Sequence, residues 1–170
     1  MRSPTLPSHD SSGVRRPARS RTTRRASRWP PSPPSTQAVQ CCRDSDVTSR
    51  VGLEKRIRTI CLDLPGVTEK LSHGAPAFFV GRQFLMLWTD GHHEHAFAHM
   101  WCAAPPGAQS ELVTTEPDRF FRPPYVGGRG WLGVRLDGRI EWGEIEVVCE
   151  EAYRTVASKR LIASLDLKKG

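Results

Sequence analysis

The chain has 170 residues and a formal net charge of +7, a length that fits about one domain. Residues 1–50 hold ten arginines against three acids, whereas residues 51–170 hold 15 basic and 15 acidic side chains. All the excess positive charge therefore lies in the first segment, which excludes a uniformly basic domain behind it. Any cationic patch on residues 51–170 has to come from local clustering.

No apolar run reaches the roughly 18 residues a membrane span needs. The N-terminus lacks the apolar core of a secretory signal. The five cysteines form no C-x-x-C pair and suggest neither a zinc site nor a disulfide framework. These features predict a cytoplasmic protein with reduced thiols and no membrane partner.

Residues 1–48 mix Pro4, Pro7, Pro17, Pro30, Pro31, Pro33 and Pro34 with Ser, Thr and Arg. Such a segment has too little apolar surface to offset its ordering entropy, so it is expected to be a solvated coil. Two readings stand. In one, Arg15, Arg16, Arg19, Arg21, Arg24, Arg25 and Arg28 make an arm that binds phosphate without sequence preference. In the other, the segment is upstream sequence translated from a misplaced start.

A folded domain is expected over residues 49–166. Leu53, Ile57, Ile60, Cys61 and Leu64 recur on one face of a helix. Thr48 or Ser49 can cap it, and Pro65-Gly66 ends it. Ala77–Val80 and Phe84–Trp88 read as strands joined by a Gly81-Arg82 hairpin turn. After a second turn at Asp90-Gly91, a third strand is expected over His95–Trp101. Residues 106–114 suit a short helix with proline in its first turn. Phe120–Tyr125, broken by Pro123-Pro124, is a loop or edge strand. Gly127-Gly128-Arg129-Gly130 is a turn, and Trp131–Leu136 is a strand. A last helix covers about 141–157 and continues, after a break, to 165. Ile145, Cys149, Ala152 and Val156 form its buried stripe. Short links between strands predict an α+β fold, mostly antiparallel, with the N- and C-terminal helices packed on one face.

Catalytic signatures are absent: there is no G-x-S-x-G elbow, phosphate loop, dinucleotide fingerprint or His-Glu-x-x-His helix. His93, His95 and His99 would share one face of a strand, yet that spacing makes no compact metal site. No metal, cofactor or catalytic residue is expected. The densest chemistry lies in Arg122–Trp131, where two arginines and two aromatics surround a glycine turn. Arginine grips phosphate, and a glycine turn lets backbone N–H groups approach a strand. The plain alternative makes Tyr125 and Trp131 core residues and Arg129 a turn residue.

Several stretches, in this order, resemble the MmcQ/YjbR family of small bacterial proteins. They are Leu64-Pro65-Gly66-Val67-Thr68-Glu69, His73–Val80, Pro124-Tyr125-Val126-Gly127 with Gly130-Trp131, and Glu151-Ala152-Tyr153-Arg154 through Lys159-Arg160-Leu161. The resemblance implies a YjbR-like α+β fold of the frataxin/CyaY type and a non-enzymatic DNA-binding role, and supplies no catalytic residues. Contacts would be mainly to phosphate, through Arg82, Arg122, Arg129, Lys159 and Arg160, with Tyr125 and Trp131 stacking or bracing the turn. Two other expectations remain open. One is a small-ligand or protein-interaction module with a pocket lined by His73, Trp88, Trp101 and Trp131. The other, by frataxin-like analogy, is metal handling by Glu141, Glu144, Glu146, Glu150 and Glu151.

Overall fold

A computed structural model describes residues 49–170. The Arg-rich segment 1–48, with the binding arm and the alternative start considered for it, lies outside the described residues.

The elements run α1 (Arg50–Leu62), β1 (Thr68–Ser72), β2 (Ala75–Val80), β3 (Arg82–Trp88), β4 (His99–Ala103), α2 (Ala108–Thr115), β5 (Phe120–Phe121), β6 (Trp131–Arg135), α3 (Trp142–Val156) and α4 (Lys159–Lys169). Ser49 caps α1 by accepting the Gly52 N–H at 3.1 Å. The cap occupies one of the donors that a helix start leaves unpaired. Ala157 and Ser158 adopt extended backbone and separate α3 from α4.

Among the described residues the strands form one sheet in the order β1-β2-β3-β4-β6-β5. Every pairing is antiparallel; between β1 and β2 and between β2 and β3 the short links require it. The α+β expectation is met. A register shift between Phe78 and Phe79 leaves Phe84 as the extra residue of a β-bulge. The bulge lets Phe84 and Leu85, neighbours in sequence, both enter the core beneath the helices.

That core joins the two outer helical segments to the sheet. Leu53, Ile57 and Cys61 from α1 meet Phe78, Phe84, Leu85, Leu87, Met100 and Leu132 from the strands, and Ile145, Cys149, Ala152 and Tyr153 from α3. Burying a phenylalanine or leucine completely contributes roughly 1.5–3 kcal/mol. Tyr153 is fully buried, and its hydroxyl donates to the Pro65 carbonyl at 2.9 Å. The bond ties α3 to the proline that ends the first helical segment.

Three local expectations need correction. First, Gly81 alone makes the β2–β3 turn, at φ +74°, with Val80 paired to Arg82. Arg82 therefore begins a strand and does not sit in a two-residue turn. Second, the strand expected at His95–Trp101 starts four residues later. His92 and His95 instead form a small hairpin of their own, with backbone bonds of 2.9 and 3.1 Å. His93, His95 and His99 thus do not share a strand face. Third, Thr68–Ser72 forms an edge strand that the pattern concealed. Its residues are exposed or half-buried throughout, so no apolar alternation marks it.

Candidate functional site

The helices cover one face of the sheet; the site lies over the other face and reaches the C-terminal end of α3 at Thr155 and Val156. Because strand side chains alternate, the residues between those of the main core point away from the helices. They form a second apolar cluster of Ala75, Ala77, Met86, Trp88 and Trp101, with Phe79, Phe121, Val126 and Trp131 against it. A cavity of about 890 Å³ opens over this cluster. The size suits a small ligand.

Two loops close over the cavity. In the first, Gly91 has φ +79°, and a methyl group there would collide with the His95 carbonyl oxygen. The tight hairpin that follows places the His92 ring on Trp88, with centroids 3.6 Å apart and planes 20° from parallel. The second loop runs from Arg122 to Gly130. Gln109 of α2 holds it by donating to the Gly127 carbonyl at 2.8 Å and to the Trp131 carbonyl. The loops meet where His93 leans on Tyr125 at 5.1 Å.

His73, His93 and Tyr125 have φ of 51°, 55° and 63°, and are the non-glycine residues with positive φ among those described. All three line the cavity. Left-handed backbone costs such residues roughly 1–3 kcal/mol and collects at functional sites. Unpaired polar atoms collect here too. The buried side-chain nitrogens without a partner among the described residues are Trp88 Nε1, His92 Nδ1, His99 Nε2 and Trp101 Nε1. Trp88, His92 and Trp101 line the cavity, and the His99 ring lies 5.9 Å from Trp101.

Electrostatics gives the cavity a sign. Arg82 and Arg129 line it, with His73, His92 and His93, and no acid is among its lining residues. Elsewhere Arg50, Arg56, Arg58, Arg119, Arg135, Arg139 and Arg154 are tied to carboxylates. Arg82, Arg122, Arg129 and Arg160 have no such partner among the described residues. Burial, and then the neighbouring His93 and His73, hold the His92 imidazole below its ordinary pKa. His99 is likewise lowered, first by burial, although its Nδ1 donates to the Phe97 carbonyl at 2.8 Å.

Of the residues expected at an interface, Arg82, Tyr125, Arg129 and Trp131 all line this one cavity. Arg122 is not among the lining residues; its side chain runs along Gly127. Lys159 and Arg160 are exposed on α4 and do not line it. The four residues of the alternative pocket, His73, Trp88, Trp101 and Trp131, line it as well. Met86, Gln83, His92 and His93 line it too, beyond the residues that the sequence pointed to. The two-residue alternation Met86-x-Trp88 was the available signal for the first. Four of the five glutamates considered for metal handling are ion-paired: Glu141 to Arg139, Glu144 to Arg119, Glu146 to Arg56, and Glu150 to Arg154 and Lys169. Among the described residues no group of three or more His, Cys, Asp or Glu is placed to hold a metal ion. No helix among them is long and apolar enough to cross a membrane.

The YjbR family model matches residues 62–155. The chain belongs to the YjbR family. The YjbR match contains every cavity-lining residue except Val156. The fold is similar to the crystal structure of the Deinococcus radiodurans protein DR2400, described by the domain DUF419. That similarity has a TM-score of 0.53 at 18% identity, covering 69% of this chain and 85% of that one. At this identity the likeness concerns the fold alone. No curated protein matches the chain. For this YjbR protein the site's chemistry must therefore be argued from its own residues. An aromatic floor with two guanidinium groups at its sides suits a planar ring that carries negative charge.

Proposed function

We propose that this YjbR protein is a non-enzymatic nucleic-acid-binding module. It takes an unpaired base into the open-face cavity and holds adjoining phosphates with Arg82 and Arg129. The observation that carries the reading is the pair of arginines, without carboxylate partners among the described residues, beside an acid-free aromatic cavity. Base–aromatic stacking contributes about 1–3 kcal/mol per base and tolerates any base. A concave site of this kind favours single strands, because a base inside a duplex cannot reach it. Grip through duplex phosphates alone would need a longer row of cations. Arg122 and Arg160 also lack carboxylate partners among the described residues, so they are available to phosphates flanking the bound unit.

A second reading is a free nucleotide-like ligand. It is favoured by the cavity volume of about 890 Å³ and by the charge balance of residues 51–170.

Fluorescence anisotropy of the full chain tests both readings, using labelled oligothymidine, the matching duplex, and thymidine monophosphate as competitor. Tighter binding of the single strand, weakened about tenfold or more by combined Arg82→Ala and Arg129→Ala, supports the strand reading. The N-terminal arginines are unchanged in that comparison, so their contribution cancels. Competition by the free nucleotide, with no strand affinity that depends on the two arginines, selects the second reading. Binding of duplex and single strand alike, indifferent to both substitutions, removes the cavity from the interaction.

A further inference from the structure

The inner end of the cavity has chemistry that stacking and phosphate contacts leave unused. Trp88 and Trp101 are 7% and 5% exposed, and their ring centroids lie 5.5 Å apart. Neither indole N–H has a partner among the described residues. An indole can only donate, and a buried donor left unpaired costs free energy comparable to a lost hydrogen bond. The His92 ring rests on Trp88 and stands edge-on to Trp101 at 5.6 Å. It contributes no acceptor to either indole, and its own Nδ1 is also without a partner among the described residues. A five-membered ring thus holds the stacking place over Trp88, edge-on to the ring that carries the unused Trp101 donor.

We propose that the inner end of the cavity reads the edge of a heteroaromatic ring. The ring takes the place that His92 holds over Trp88, and an acceptor atom on its edge receives the N–H of Trp101, whose ring stands across the stack. The ligand class is an oxo-bearing base of the pyrimidine type, a carbonyl oxygen of which supplies that acceptor, with the phosphate directed toward the arginines. The inference rests on the nucleotide reading of the cavity and adds its specificity. The hairpin is suited to yielding its place. Its turn carries His93 in left-handed backbone, and its closure rests on two backbone bonds and ring contacts. While His92 holds the place, only the fraction of molecules with the hairpin lifted is competent, and apparent affinity falls by that fraction.

The test uses the full chain, oligothymidine, and an oligonucleotide in which thymine is replaced by its non-polar difluorotoluene isostere. Wild type is expected to prefer thymidine by about twofold to tenfold, the range of one neutral hydrogen bond. In nitrogen-15 NMR, the Trp101 indole proton should move downfield when oligothymidine is added and much less with the isostere. His92→Ala should tighten oligothymidine binding by about twofold to tenfold, the range of one aromatic stack. An unmoved Trp101 indole resonance in a wild-type complex overturns the inference, as does a His92→Ala protein that binds no more tightly. If those results come with binding that still depends on Arg82 and Arg129, the edge-reading idea fails and the nucleotide reading survives. If neither wild type nor His92→Ala binds either oligonucleotide, both fail together.

Discussion

The two faces of the sheet are built from the same strands and do opposite things with their polar atoms. On the helical face, the buried Tyr153 hydroxyl reaches the Pro65 carbonyl, and the remaining members of that core are apolar or thiol side chains. On the open face lie all the buried side-chain nitrogens without a partner among the described residues: Trp88, His92, His99 and Trp101. The left-handed histidines and tyrosine lie there as well. A face that closes its own polar account is suited to stability. A face that leaves donors unpaired and backbone strained is suited to recognition. Substitutions should therefore separate, with the helical face governing unfolding and the open face governing binding.

The largest effect expected on stability is at the helical face. Phe78 is fully buried there, and Phe78→Ala should cost about 3–5 kcal/mol in denaturant unfolding, as large-to-small changes in closed cores do. A cost below about 1 kcal/mol would break the comparison. Next comes Tyr153→Phe, which removes the 2.9 Å bond to Pro65 while keeping the ring. A loss near 1 kcal/mol is expected, with binding of oligothymidine unchanged.

The third expectation concerns pH. Burial lowers the His99 pKa in the folded protein below the unfolded value of about 6.5. The unfolded chain then binds more protons as pH falls below that value, so acid removes stability progressively from about pH 6.5 down to the folded pKa. His99→Gln should flatten that part of a stability-versus-pH curve. An unchanged slope would mean that the open-face histidine is not the group responsible.

The smallest effect on unfolding belongs to the open face itself. Arg82→Ala and Arg129→Ala remove exposed side chains and should each change stability by no more than about 0.5 kcal/mol. Their effect should appear in binding. If unfolding and binding fell together, the two faces would not be separable functions.

How much of this was legible depends on how each element earns its burial. The first and third helices were readable because Leu53, Ile57 and Cys61, and Ile145, Cys149 and Ala152, repeat with the helical period and are buried. The strands β2, β3 and β6 were readable as apolar runs. The edge strand β1 was not, because only one neighbour pairs with it and little of it is buried. The His95–Phe97 segment resembled a strand by its apolar content. Its rings pack instead over the open face, Phe97 under the Arg135 guanidinium at 4.2 Å and His95 on Phe121 at 4.4 Å. Tertiary packing overrode local propensity there.

The site divides in the same way. Its ingredients were visible as residue types: the Arg122–Trp131 loop, the histidine run and the scattered tryptophans. Periodicity and turn chemistry act within a few residues, so the sequence by itself determined the α+β class, most elements and the list of reactive side chains. Bringing His73, Arg82, Trp88, Trp101, Arg129 and Trp131 to one cavity required the strand order and register. Moving a strand by one residue would turn Trp88 or Trp101 to the helical face. Register was decided by long-range backbone pairing, the bulge at Phe84 and the single-residue turn at Gly81. Only the tertiary structure could decide it, because the strand pairing that sets the bulge and the turn in place couples residues through space and not through their order in the chain.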